Sequence, residues 1–227
     1  MTDMSKLIYE VLKRTSNKLR GLYDSTEEQK YSSALTFSRL VFPTYRKKGV
    51  RVSEQELRFA FIDEFNQYCN EKNINEVFYS IETPTEDKYT FSKDGVKIDP
   101  IIGEGESGNL DLTFLDKEDF KRYLIEFKAG SVTEQAFKEV LAKSANPKEK
   151  APYRYIIHMV KDDVSDKTIE NLRAAIKWLY EESDIKEKPD RVEYVCLHLT
   201  GEKEIELYSI QDTYHRYIKE NFSSKLR

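Results

Sequence analysis

The order of periodic segments predicts an α/β fold, a mixed central sheet flanked by helices, with a helical stretch ahead of it. A helical pattern is followed by a group of strand-like runs, and then helix, strand, helix and strand alternate toward the end of the chain. Two of the runs, NLDLTFLD (109–116) and RYLIEFK (122–128), are joined by a loop too short for a crossover, so they are expected to pair as an antiparallel hairpin.

The elements follow in order. Residues 4–22 place Met4, Leu7, Ile8, Val11, Leu12, Leu19 and Leu22 largely at helical spacing. A second helix is expected over 26–41, stopped ahead of Pro43, because the residue before a proline is pushed out of the α region. With the basic connection PTYRKKGVR these segments make residues 1–50 an N-terminal helical appendage to a core domain over 51–227. Ser53 opens a third helix. S-E-Q-E reads as a capping box with Glu56 three residues on, and Leu57, Phe61, Ile62 and Phe65 form its apolar stripe toward residue 72. VFYSIET, KYTFS and VKI read as short strands separated by polar turns at 83–87 and 93–95. After the hairpin come a helix over 132–145 and the apolar strand YRYIIHMV. A helix over 165–182 with Ile169, Leu172, Ile176 and Leu179 in step precedes strands VEYVCLHL and EIELYSI and a last helix over 211–222.

Composition narrows the functional classes. The 227 residues, 39% hydrophobic and 34% charged, suit a globular chain that buries about 70% of its unfolded surface. The 37 basic and 41 acidic residues give a net charge of −4, which excludes a generally basic nucleic-acid coat but not a local basic patch. Cys69 and Cys196 form no CxxC, so neither a disulfide framework nor a structural zinc site is expected, and the pair suits a reducing compartment. There is no signal-type run at the start and no window approaching the length of a membrane span, so a cytoplasmic protein without a membrane partner is expected.

The chemistry concentrates on RYLIEFK. Alternation puts Leu124, Glu126 and Lys128 on one face of the strand, so Glu126 and Lys128 stand one pleat repeat apart. Asp111 lies fifteen residues before Glu126, and the hairpin can bring it alongside. Two carboxylates and a lysine in one small space suit metal-assisted phosphodiester hydrolysis. Mg²⁺ favours oxygen ligands and retains waters, and a carboxylate pair without a cation is mutually repulsive. The metal activates water, and Lys128 can orient it or stabilise developing charge.

Asp111 followed by Glu126-Phe127-Lys128 resembles the PD-(D/E)xK nuclease superfamily, whose fold is restriction-endonuclease-like with an αβββαβ core. The resemblance covers roughly residues 53–160. Leu110 stands where many members carry a proline. It implies a divalent-metal-dependent nuclease, with Asp111, Glu126 and Glu56 holding Mg²⁺ or Mn²⁺. Glu56 matches the glutamate that many members carry on the helix before the sheet. Gln135 and Lys138 match the polar residue on the helix after it. The family does not say which nucleic acid is cut. DNA is expected over RNA because nothing here resembles a 2′-OH reader or an aromatic stacking platform. The alternative is a non-catalytic member of the same fold, acting as a nucleic-acid-binding or protein-interaction module. A homodimer is expected if both strands of a duplex are cut.

Each of these features also has an ordinary explanation. E-x-K is common on a strand with one wet face, Glu56 is accounted for by the capping box, and Gln135 by a helix surface. Arg46, Lys47 and Lys48, within a basic cluster that includes Arg39 and Arg51, are candidate phosphate contacts, as is Lys138 in a second cluster with Lys143, Lys148, Lys150 and Arg154. Residues 103–108 match G-x-G-x-x-G but lead into a strand and carry two glutamates, so a dinucleotide site is rejected in favour of a turn at the mouth of the site. His158 and His198 lie in apolar strands and are read as core histidines with local hydrogen bonds.

Overall fold

The structure, a computed structural model, describes residues 3–28, 39–45, 49–116, 122–185 and 191–216. Helix α1 (Met4–Glu27) is followed by a small antiparallel ribbon of β1 (Thr44–Tyr45) and β2 (Gly49–Val50), and by α2 (Glu54–Lys72). Then come β3 (Val77–Lys93), β4 (Val96–Ile102), β5 (Glu106–Asp116), β6 (Arg122–Ala129), α3 (Glu134–Ala145), β7 (Tyr153–Val160), α4 (Asp166–Glu181), β8 (Val192–His198) and β9 (Ile205–Ser209). A last helix, α5, covers 210–216. The second helix expected over 26–41 and the end of the last one fall mostly outside the described residues.

The large sheet has the order β4-β3-β5-β6-β7-β8-β9. Its pairs are antiparallel except β6 with β7 and β7 with β8, which are parallel. The expected α/β architecture, a large mixed sheet with flanking helices, is therefore present. Alternation on β6 sets the layers. Ile125 and Phe127 join Leu112, Phe114 and the buried faces of α1 and α2 in one apolar cluster. On the other face Ile156, Tyr194 and Cys196 pack with Phe137, Val140 and Leu141 of α3 and Ile176, Trp178 and Leu179 of α4.

Helix α1, expected as part of an appendage, contributes Leu7, Ile8, Val11, Leu12, Leu19 and Leu22 to the same cluster as the sheet. Its Lys18 is buried between Asp63 and Glu64 of α2. The pairing keeps a lysine charged inside a helix interface, where an unpartnered ammonium would be expelled or neutralised.

The turn expected at 83–87 is a correction. β3 runs through it as a single strand with a register shift between Pro84 and Lys88. Proline sits here because an irregular point in a strand does not require its missing N–H. The polar side chains that suggested a turn are satisfied by the segment after α3 instead. Asn146 donates to Asp87, and the backbone N–H of Glu86 donates to Glu149 at 2.8 Å. The turn at 93–95 is as expected, a two-residue connection with Asp94 and Gly95 both at positive φ and Lys93 paired with Val96. Among the described residues no helix is long and apolar enough to cross a membrane.

Candidate active site

The ladder between β5 and β6 runs from Leu115 opposite Arg122 to Leu112 opposite Ile125 and stops there. One further step of the same register would set Asp111 opposite Glu126. The strands part at this point, and a side chain takes over from the backbone: Asp111 accepts the Phe127 N–H at 2.7 Å through Oδ2. That bond satisfies an amide the open ladder would otherwise leave without a partner. It also fixes one carboxylate beside the residue that carries the other.

Helix α2 supplies the next layer. Glu54, Arg58, Phe61 and Phe65 follow one another at helical spacing. Phe61 and Phe65 seat this face on Phe114 and Phe127, with ring centroids 4.6–6.3 Å apart. The polar end of the same face therefore lies over the open strand ends. Arg58 donates to Asp111 Oδ1 at 2.9 Å and to Glu82 at 2.6 Å. Lys128 Nζ donates to the Phe127 carbonyl at 2.7 Å and to Glu54 at 3.4 Å.

Glu126 is 1% exposed and sits on the α3 side of β6. Its cation is Lys143 of α3, with Nζ 2.6 Å from Oε1, and Lys143 also donates to the Asn109 carbonyl at 2.6 Å. The contact with Glu126 is an ion pair to a fully buried oxygen. Burial pushes the Glu126 carboxyl up to about 7; Asp111 adds to this, while Lys143 and Lys128 oppose it. Lys143 reaches across β5 at Gly108, where a Cβ would stand 3.1 Å from its Cδ. Gly108 thus makes room for a lysine side chain.

The remaining candidates are placed elsewhere. Glu56 shares a helix face with Ala60 and Glu64, the face that Lys18 of α1 meets; its carboxylate accepts from Ser53 Oγ and lies 4.0 Å from Arg51. Ser53 is the N-cap, but its hydroxyl bonds this carboxylate and not a backbone N–H, so the two side chains pair with each other in place of the expected capping-box bonds. Glu54 is the α2 carboxylate that meets a member of the trio. Gln135 donates to the Ile98 carbonyl at 2.6 Å, and Lys138 pairs with Asp99 at 2.7 Å and Glu134 at 3.0 Å. Both tie α3 to β4. Arg46, Lys47 and Lys48 lie outside the described residues.

Sequence reasoning missed Arg58 and, as a site residue, Lys143. Arg58 was legible as the residue one helical turn after Glu54 on the face of Phe61. Lys143 had no local signal, because its partners lie on two other strands.

His158 is a core histidine, as expected. Its ring bonds the Gly130 carbonyl at 2.6 Å and the Tyr194 hydroxyl, and burial lowers its pKa to about 4.

No family model matches this chain, and a search of curated proteins finds no match.

The donor set itself remains as a guide to chemistry. Among the described residues no three His, Cys, Asp or Glu side chains converge as a metal-binding group. Asp111 and Glu126 therefore offer two carboxylates, and further oxygen ligands would come from backbone carbonyls, water or substrate, which suits Mg²⁺ or Mn²⁺. The buried Glu126 Oε1 is already met by a cation, the Lys143 ammonium, so its surroundings suit positive charge.

Proposed function

We propose that this chain is a divalent-metal-dependent nuclease of the PD-(D/E)xK, restriction-endonuclease-like superfamily that hydrolyses phosphodiester bonds, with DNA as its substrate. The observation that carries the reading is the end of the β5–β6 ladder, where Asp111 bonds the Phe127 amide and lies, like Lys128, within electrostatic reach of Glu126. The order α2, β3, β5, β6, α3, β7 supports it, since it follows the αβββαβ core with β4 as an addition.

Asp111 and Glu126 would hold Mg²⁺ or Mn²⁺. The ion would acidify a bound water and neutralise charge on the phosphate. Asp111 is held in a fixed orientation by the Phe127 N–H and Arg58. Lys128 would exchange its 3.4 Å contact with Glu54 for the attacking water or a phosphate oxygen. Glu54 serves as its holding partner. A homodimer in the cytoplasm, with two such sites, would cut both strands of a duplex.

The test is cleavage of linear, supercoiled and single-stranded DNA and of RNA, with Mg²⁺, Mn²⁺ or EDTA, beside Glu126→Ala and Lys128→Ala. Metal-dependent cleavage lost in both variants supports the reading. Equal cleavage by all three proteins overturns it.

One observation favours a second reading, a non-catalytic binding module. Both oxygens of Asp111 are engaged, and Glu126 has Lys143, so the carboxylates are charge-balanced by the chain itself. A scaffold of that kind would show no Mg²⁺-linked rise in melting temperature.

A further inference from the structure

The two carboxylates are served differently. Asp111 has two hydrogen bonds, from Arg58 and from Phe127. Glu126 has the Lys143 ammonium 2.6 Å from Oε1, and the same ammonium donates to the Asn109 carbonyl. Lys143 therefore has an anchor that does not depend on Glu126. Its methylenes cross β5 at the one position in that stretch without a Cβ. Gly108 is not at positive φ, so its backbone conformation does not call for glycine; a Cβ there would press on Lys143 Cδ at 3.1 Å. Lys128, the lysine that alternation sets beside Glu126, is turned away to the Phe127 carbonyl and Glu54.

We propose that Lys143 is a resident counter-ion that competes with the divalent metal for Glu126 and so sets the metal affinity of the site. This rests on the nuclease reading's metal site at Asp111 and Glu126. A cation 2.6 Å from a buried carboxylate oxygen occupies the space a metal ligand bond requires. For metal to bind Glu126, the ammonium must withdraw, and the Asn109 carbonyl keeps it within the site. Lys143 is thus a positioning residue. It neutralises Glu126 in the metal-free protein and yields to metal. The withdrawn ammonium adds positive charge beside the phosphate.

The test is Mn²⁺ titration by calorimetry at about pH 8, where exposed carboxylates are ionised, on the full chain and on Lys143→Met, Lys143→Gln and Glu126→Gln. Lys143→Gln retains a donor for Asn109 and guards against a fold that fails without it; circular dichroism checks each variant. Competition predicts that both Lys143 variants bind Mn²⁺ more tightly than the wild type, by about tenfold or more. A wild type that binds no Mn²⁺ beside Lys143 variants that do is the same result in a stronger form. Equal or weaker binding in the folded Lys143 variants overturns the proposal while leaving the metal site standing. Binding that Glu126→Gln does not reduce, or no binding by any protein, removes the metal site itself and the proposal with it.

Discussion

The Asp111 carboxylate and the Phe127 amide meet at 2.7 Å where β5 and β6 part. This contact converts the end of a hairpin into a site. Without it the amide would be buried and unpaired, and Asp111 would be held only by Arg58.

Asp111→Ala and Asp111→Asn are therefore expected to differ in stability. Alanine leaves both the Phe127 N–H and the Arg58 guanidinium without this partner, a loss of about 1–3 kcal/mol. Asparagine keeps an oxygen to accept one of them and should lose less. Neither offers a carboxylate to metal, so both should lack metal-dependent cleavage. Urea unfolding ranks the stabilities; equal losses would mean that the Phe127 bond contributes nothing.

The pH dependence of stability contains two opposed contributions. The folded-state pKa of Glu126 is raised from 4.5 to about 7, so its contribution is full below the unfolded value and is lost as pH rises through about 7. That of His158 is lowered from 6.5 to about 4, so its contribution is full above 6.5 and is lost as pH falls toward 4. Each is worth about 3 kcal/mol. Between pH 4.5 and 6.5 they largely cancel. Asp63 and Asp87, held below 3.8 by Lys18 and by Asn146 and Lys148, act at lower pH. Glu126→Gln should therefore gain stability steadily as pH rises from 4 to 6.5, and His158→Gln should lose it from 4.5 to 7. Denaturant midpoints across this range check both; parallel curves for wild type and variants would refute the assignment.

The two glycines of the β4–β5 turn separate conformational strain from collision. Gly103 and Gly105 both have positive φ, at 91° and 84°. A Cβ at 103 meets nothing within 4 Å, whereas one at 105 would stand 2.3 Å from the Tyr89 carbonyl oxygen. Gly103→Ala should cost about 1 kcal/mol, the ordinary penalty of a side chain in that region. Gly105→Ala adds displacement of the β3 backbone, about 1–3 kcal/mol more. Thermal melts that rank them equally would show that the turn relaxes freely.

What was legible in the sequence was what repeats with a period. The strands of the hairpin, the apolar faces of α2 and α4, and the closeness of Asp111 to Glu126 follow from alternation and helical spacing. What was not legible depended on partners distant in the chain. Thr83–Asp87 looked like a turn because the partners of Asp87 and of the Glu86 N–H, Asn146, Lys148 and Glu149, lie about sixty residues on. Lys143 looked like one member of a basic cluster because its partners are Glu126 and Asn109. Glu56 was singled out by its match to the glutamate that many superfamily members carry on this helix, whereas Glu54 stands in step with Phe61 and Phe65, whose face points to the strand ends.

The two glutamates of α2 supply the final test. Glu54 meets Lys128, and Glu56 meets Ser53 and Arg51 on the face toward α1. Glu54 is more exposed, so its ion pair contributes little to stability, about 0–1 kcal/mol. Under the proposed reaction its effect should appear in catalysis, since it holds the ammonium assigned there to water or phosphate. Glu54→Ala should leave the melting temperature nearly unchanged and alter metal-dependent cleavage several-fold. Glu56→Ala removes a buried partner of the helix start and should lower stability by about 1 kcal/mol while cleavage per folded molecule is retained. Melting curves and cleavage rates measured on the same two samples decide it. The reverse pattern, cleavage lost with Glu56 and untouched with Glu54, would place the helix carboxylate of the site on the other face of α2.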